Sequence, residues 1–239
     1  ILKIVIHNPK MINSNVVDLI KTFSKEEVEE FESFVKSEFF NTHKTVIQCF
    51  EFFKKFYPDF ERDDFSKENL FNKIYPGKKY NDTNVRVNLS ELLKLAEKFL
   101  SYKNYRNNEF ESSLSLARES YKRSLGKFEE RYLKNCERIL SERQFLDESY
   151  FYDKFTLENT KTQQRKTCDQ YQYIGSVETA NQNLTNFYFS KLLRNYVLIL
   201  NEQSAVEVEY NMNSIKIVIE FANMFDFSEY PAIMIYLHM

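Results

Sequence analysis

The side chains best suited to chemistry in this chain are few and scattered. Its three histidines, His7, His43 and His238, and its three cysteines, Cys49, Cys136 and Cys168, share no spacing that would gather them on one metal ion. No CxxC or HExxH occurs, and no GxSxG sets a serine on a sharp turn. With glycines only at Gly77, Gly126 and Gly175, neither GxGxxG nor a P-loop can be written, so no glycine loop for a nucleotide's phosphates is present. The acidic neighbours Glu26-Glu27, Glu29-Glu30, Asp63-Asp64 and Glu129-Glu130 could in principle do acid–base work. Adjacent helical residues diverge by about 100°, however, so each pair reads as solvated surface. No catalytic, cofactor-binding or metal-binding residue is therefore assigned, no cofactor is expected, and the protein reads as a non-enzyme.

Charge is the remaining chemical signal. The net is only −2, which gives no global drive toward nucleic acid or membrane. Its distribution is uneven: Asp18 to Asp64 holds 12 acidic and 7 basic residues, whereas Lys73 to Arg106 holds 8 basic and 3 acidic. Lys73, Lys78, Lys79 and Arg86 flank a Pro76-Gly77 turn and form a candidate basic docking surface. A helix, a turn and a second helix presenting cations resembles the way helix-turn-helix modules meet DNA phosphates, which makes segment 70–106 the alternative, nucleic-acid-binding candidate. Against it, the turn is long and the second helix is unusually apolar. The competing expectation is that Pro76-Gly77 merely stops a helix while lysines cover its rim. Asn81, Asn88 and Asn183 match glycosylation sequons, as chance allows in an Asn-rich chain.

Whatever these residues do, helices must position them. Only 3 Gly and 4 Pro occur in 239 residues, too few for the frequent turns of sandwiches, barrels or doubly wound sheets. Hydrophobic residues make up 43% and charged residues 28%, with 23 Phe and 16 Tyr to fill a core. No apolar run reaches the roughly 18 residues of a membrane span. Three widely spaced cysteines fit free, buried thiols in a reducing, cytoplasmic setting.

Helix starts are the clearest local signals. Ser24 with Glu27 forms a capping box, and Phe23 with Val28 forms a hydrophobic staple. Ser66 repeats the cap between Phe65 and Leu70, and Asp147 does so between Leu146 and Phe151. Helices are predicted from Ser24 to about Phe39-Phe40-Asn41, over His43–Phe56, and from Ser66 to Pro76-Gly77. Leu89, Leu92, Leu93, Ala96, Phe99 and Leu100 fall at helical offsets of 0, 3, 4, 7, 10 and 11. From Phe110 to Leu140 a stripe of Leu114, Ala117, Tyr121, Leu125, Phe128, Tyr132, Cys136 and Ile139 continues, with Gly126 either mid-helix or in a turn between two helices. Further helices are expected from Asp147 to Gln163, over Asn186–Asn201, over Val208–Phe225, and from Ser228 onward; Asn159 to Asp169 reads as a polar loop or exposed turn. Ile215, Ile217, Ile219 and Phe221 also alternate like a strand, but flanking helices favour helix.

Leu19-Ile20-Lys21-Thr22-Phe23-Ser24-Lys25-Glu26-Glu27, and Leu70-Phe71-Asn72-Lys73-Ile74-Tyr75-Pro76-Gly77-Lys78-Lys79-Tyr80 followed by Leu89-Ser90-Glu91-Leu92-Leu93-Lys94, carry a resemblance. They resemble a group of uncharacterised bacterial proteins of the Bacteroidetes type, all-helical with a helical-repeat remainder, and this resemblance implies no chemistry. Helix pairs recurring every 35–45 residues in the second half are similar to tetratricopeptide or HEAT arrays. The expectation is therefore an all-α protein. Residues 1–11 form an extended or non-native leader, 12–105 an N-terminal helical bundle, and 106–239 antiparallel helix pairs in a short TPR-like α-solenoid array, truncated at its C-terminal end. Such a protein would bind a protein partner through a helical surface.

Overall fold

The computed structural model describes the backbone of residues 11–164, 170–205 and 215–238, and side chains within 11–163, 174–203 and 215–238. Helices make up the regular structure there, apart from one antiparallel bridge between Met11 and Ser66. The opening run before Met11, Asp169 and Cys168 of the polar stretch, and the Val208–Ser214 part of a predicted helix lie outside the described residues. Contacts divide the chain into two units, Ile1–Asn107 and Asn108–Met239.

Unit 1 contains α1 (Asn15–Lys21), α2 (Lys25–Lys36), α3 (Lys44–Lys54), α4 (Lys67–Ile74) and α5 (Asp82–Asn107). Its helix starts form as their caps predict. The Ser24 hydroxyl accepts from the Glu27 N–H at 3.2 Å while the Glu27 carboxylate accepts from the Ser24 N–H at 2.8 Å, and Phe23 and Val28 are both buried. Ser66 accepts from the Asn69 N–H at 3.2 Å, with Phe65 and Leu70 buried on either side. α2 stops at Lys36, before the predicted end, because Ser37–Phe40 forms a turn: the N–H groups of Phe40 and Asn41 both donate to the Ser37 carbonyl.

Burial then selects the architecture. Val85, Leu89, Leu92, Leu95, Ala96 and Phe99 are buried along α5, which packs against α1, α2, α3 and α4. Phe31 of α2 meets Phe23, Phe50 and Phe99 at ring-centroid distances of 5.5, 5.0 and 5.3 Å. A second aromatic group gathers Phe52, Phe53, Phe56 and Phe60 around the fully buried Phe65. Asn88 is buried on α5, its amide donating to the Tyr75 hydroxyl at 3.0 Å and the Asn84 carbonyl at 2.8 Å, so that sequon is a structural asparagine.

The α2–α5 contact is also electrostatic. Lys103 reaches Glu30 at 2.9 Å and Glu27 at 3.1 Å, and Arg106 reaches Glu30 at 2.9 Å. The Ser24 N–H and Lys103 hold the Glu27 carboxyl below its ordinary value of 4.5; Lys103 and Arg106 do the same for Glu30, and Glu30 raises Lys103 above 10.5. Lowered carboxylates stabilise above their ordinary value and lose that contribution as pH falls through the folded one. The raised lysine stabilises below 10.5 and loses its contribution as pH rises through its own folded value. An acid titration followed by circular dichroism should therefore show Lys103→Met flattening the pH dependence of unit 1 below pH 4.5. An unchanged slope would remove the cluster from the account.

Unit 2 contains α6 (Glu109–Lys122), α7 (Gly126–Ser141), α8 (Glu148–Gln164), α9 (Gln170–Ala205), α10 (Ile215–Ala222) and α11 (Pro231–His238). Gly126 is the first residue of α7, not a mid-helix position: α6 closes at Arg123, and Ser124 takes a left-handed φ of 59°. The long predicted stripe is thereby broken. Leu114 and Ala117 on α6 and Cys136 on α7 are buried, but Leu125 and Phe128 beside the turn are exposed. α6 and α7 pair antiparallel, Glu109 meeting Arg138 at 2.9 Å and Ser113 accepting from Asn135 at 2.8 Å. α8 and α9 do likewise, with Glu148 against Lys191 and Arg194 and Tyr152 against Phe187. The polar stretch from Asn159 is helical through Gln164, and Asn186–Asn201 lies largely in the second half of a longer helix, α9, of 36 residues. Asp147 caps α8 through the Tyr150 N–H at 3.0 Å. Ile215–Ala222 is helical, so its alternation is not a strand. α11 begins at Pro231 rather than Ser228, because the Ser228 N–H is held by the Asp226 carboxylate at 2.9 Å and proline suits a first helical turn.

Two glycines give opposite expectations. Gly77 has a φ of +76°, whereas Gly126 is not in the left-handed region and a Cβ there meets nothing within 4 Å. Gly126→Ala should gain about 0.4–1 kcal/mol by restricting the unfolded chain, and Gly77→Ala should lose about 1 kcal/mol or more. Urea melts of the two variants shifting in the same direction would contradict both.

Candidate interaction surfaces

The basic residues singled out in the sequence do not act as one set. Lys73 is exposed near the end of α4, Lys78 and Lys79 are exposed in the following loop, and Arg86 lies on the first turns of α5. Arg86 is paired with Asp82 at 2.6 Å, and Asp82 also takes Lys67 at 3.1 Å. Lys78 lies 5.5 Å from the centre of the Tyr75 ring. Lys73, Lys78 and Lys79 make no ion pair among the described residues. α5 itself is the helix on which the other four of unit 1 pack, so it offers a partner only its remaining face.

A stronger surface arises at the α2–α3 turn. Asn41 is buried there and pins the chain: its amide donates to the Val35 carbonyl at 2.8 Å and the His43 carbonyl at 3.4 Å, while its oxygen accepts from the His43 N–H at 2.9 Å. Phe40 stacks on Phe34 with centroids 3.9 Å apart and meets Tyr102 at 5.6 Å. Its neighbour Phe39 turns the other way and is 88% exposed, 5.0 Å from Phe40 edge to face. Apart from that contact the Phe39 ring lies in water, on a turn pinned by Asn41.

Phe40 lines a cavity on either side of this turn. One, of about 190 Å³, also takes in His43, Glu38, Glu91, Lys94 and Lys98; the other, of about 300 Å³, is bounded by Glu30, Tyr102, Lys103 and Arg106. Glu38, Glu91 and His43 line the same cavity. Glu91 bonds Lys94 at 2.7 Å, which holds its carboxyl below the usual range, and the His43 imidazole makes no hydrogen bond among the described residues. Asn41→Ala should cost about 2–3 kcal/mol through its lost hydrogen bonds and the carbonyl left unpaired. It should also speed amide exchange across Ser37–His43, and unchanged exchange would mean the turn does not depend on that side chain.

A third feature is a groove between α1 and α5. Leu19, Leu93 and Leu100 are only partly buried and line its floor, over a volume of about 660 Å³. It continues toward Lys67, Arg86 and Ser90 in a further 340 Å³, with Asn15 and Leu93 common to both stretches.

No family model, curated protein or solved structure matches this chain.

The sites therefore stand on their own geometry. Among the described residues no cluster of three or more His, Cys, Asp or Glu is placed to hold a metal ion, and no helix is long and apolar enough to cross a membrane. Cys49 and Cys136 are buried free thiols; burial pushes Cys136 up to about 12 and Cys49 higher, so both stay protonated. Sequence reasoning did not single out Phe39, Asn41 or Tyr102. The one signal available was Phe39-Phe40-Asn41 at a predicted helix end, where two adjacent rings cannot both face inward.

Proposed function

We propose that this is a non-enzymatic helical interaction protein that binds another protein through the aromatic turn of unit 1. The observation that carries the proposal is Phe39, 88% exposed on a turn fixed by the buried Asn41 and backed by Phe40, Phe34 and Tyr102. Exposed aromatic anchors ringed by charged groups are the residues that dominate binding energy at protein interfaces. Glu30, Lys103 and Arg106 on one side and Glu91, Lys94 and Lys98 on the other supply that ring. The buried thiols of Cys49 and Cys136 suit the cytoplasmic setting that the proposal assigns.

A photocrosslinking side chain placed at position 39 in cells should give a discrete protein adduct, and one at the exposed Arg62 should not. Phe39→Ser should leave the thermal midpoint unchanged while weakening binding to the captured partner about 30-fold, the scale of a hot-spot residue. Equal adducts at both positions would overturn the proposal. Nucleic-acid binding stays as the alternative because Lys73, Lys78 and Lys79 are exposed and, among the described residues, free of carboxylates. A crosslinker at position 79 yielding a nuclease-sensitive adduct would favour it, as would salt-dependent binding to mixed duplex DNA.

A further inference from the structure

We infer that the α1–α5 groove is a second, separate docking site, one that takes an amphipathic helix carrying basic residues at one end. α5 walls the groove along its whole length, faced by α1 at the Leu19 end and by Asn13, Ser14 and Lys67 at the Arg86 end. A helical wall offers no edge to an added strand, so side chains make the contact. Leu19 from α1 and Leu93 and Leu100 from α5 pack on the core with one side and leave the other open to the groove. From Arg86 to Ser101 the groove follows about 22 Å of α5, the length of four helical turns at 1.5 Å per residue. A helix with apolar side chains three or four residues apart would set one anchor per turn along that floor.

Charge selects which helix. At one end Asp18 and Glu97 are exposed, line the groove and make no ion pair among the described residues. At the other end Lys67 and Arg86 share the single carboxylate of Asp82. The groove is thus acidic at its Asp18–Glu97 end and carries a surplus cation at the other. A complementary helix presents Lys or Arg to Asp18 and Glu97, and a helix with acidic residues there is repelled.

The test is selection from a phage-displayed library of 16-residue helical peptides, with leucines fixed at four one-per-turn anchor positions and the flanking positions randomised, against the full chain. Enriched peptides should carry Lys or Arg at one end. Fluorescence anisotropy of the consensus peptide should show at least tenfold weaker binding to Asp18→Lys/Glu97→Lys, whose exposed sites leave the fold intact, and to Leu93→Glu. Phe39→Ser should bind that peptide normally, which separates this groove from the aromatic turn. The inference is overturned by no enrichment, by a consensus without basic bias, by binding that survives the double charge reversal, or by binding that Phe39→Ser abolishes.

Discussion

Phe31→Ala is expected to destabilise unit 1 by about 3–5 kcal/mol, the cost of emptying a large aromatic site in a packed core. Phe31 is fully buried, and its ring contacts come from the segment before α2 (Phe23), from α3 (Phe50) and from α5 (Phe99). Those three partners belong to separate segments, the α1–α2 connection, α3 and α5, so they cannot all close on the vacancy. Domains of this size are commonly stable by only about 5–15 kcal/mol, so the variant should lie close to unfolding at body temperature. Because the chain has two units, a single melting curve would blend them. Amide exchange resolved by segment is the better measurement, and protection lost across α2, α3 and α5 is the expected result. Wild-type protection there would show that the site collapses cheaply. Phe31→Leu should cost less, because it leaves a smaller void.

The second large effect concerns a charge buried in unit 2. Glu158 is 5% exposed and bonds Lys161 at 2.8 Å and Lys154 at 3.3 Å, while Lys161 also reaches Glu137 at 2.6 Å. Burial works against the charge on Lys161, but its hydrogen bonds to Glu137 and Glu158 outweigh that and raise its pKa above the ordinary value. Glu158→Leu strands that cation with one half-exposed carboxylate and should cost about 3 kcal/mol. Glu158→Leu/Lys161→Leu removes both charges and should recover most of the loss, since apolar pairs commonly replace buried ion pairs without penalty. Urea midpoints of the two single variants and the double complete the cycle. A double variant as unstable as the sum of the singles would show that the pair is held by something other than mutual compensation.

What could be read from the sequence is what neighbours in the chain decide. Ser24, Ser66 and Asp147 cap helices because the groups they bond lie within three residues. The α5 stripe was legible for the same reason: Leu89, Leu92, Ala96 and Phe99 repeat at the helical period and are buried together. The turn at Arg123–Leu125 was not, since Leu114, Ala117, Cys136 and Ile139 keep nearly the same phase on both sides of it. Equally hidden were the burial of Glu158, whose cations Lys154 and Lys161 are near neighbours on α8 but whose cover comes from the helices packed on α8, and the pairing of Glu30 with Lys103 and Arg106. Arg86 looked available until Asp82, four residues before it, was seen to bind it. Phe39 and Phe40 are chemically identical, and the turn pinned by Asn41 leaves Phe40 against Phe34 and Tyr102 while Phe39 faces water.

The placement of α5 also governs how unit 1 is born. α1 to α4 are complete by Ile74, but the leucines and Phe99 that cover them arrive only as Asp82–Asn107 is added. At a synthesis rate of roughly 5–20 residues per second, that interval lasts about 2–7 s. Throughout it a nascent chain rich in phenylalanine has no closing helix. A ribosome-associated holdase would have its work in that window, and codon changes that slow translation between residues 75 and 107 should lower soluble yield without altering the finished protein.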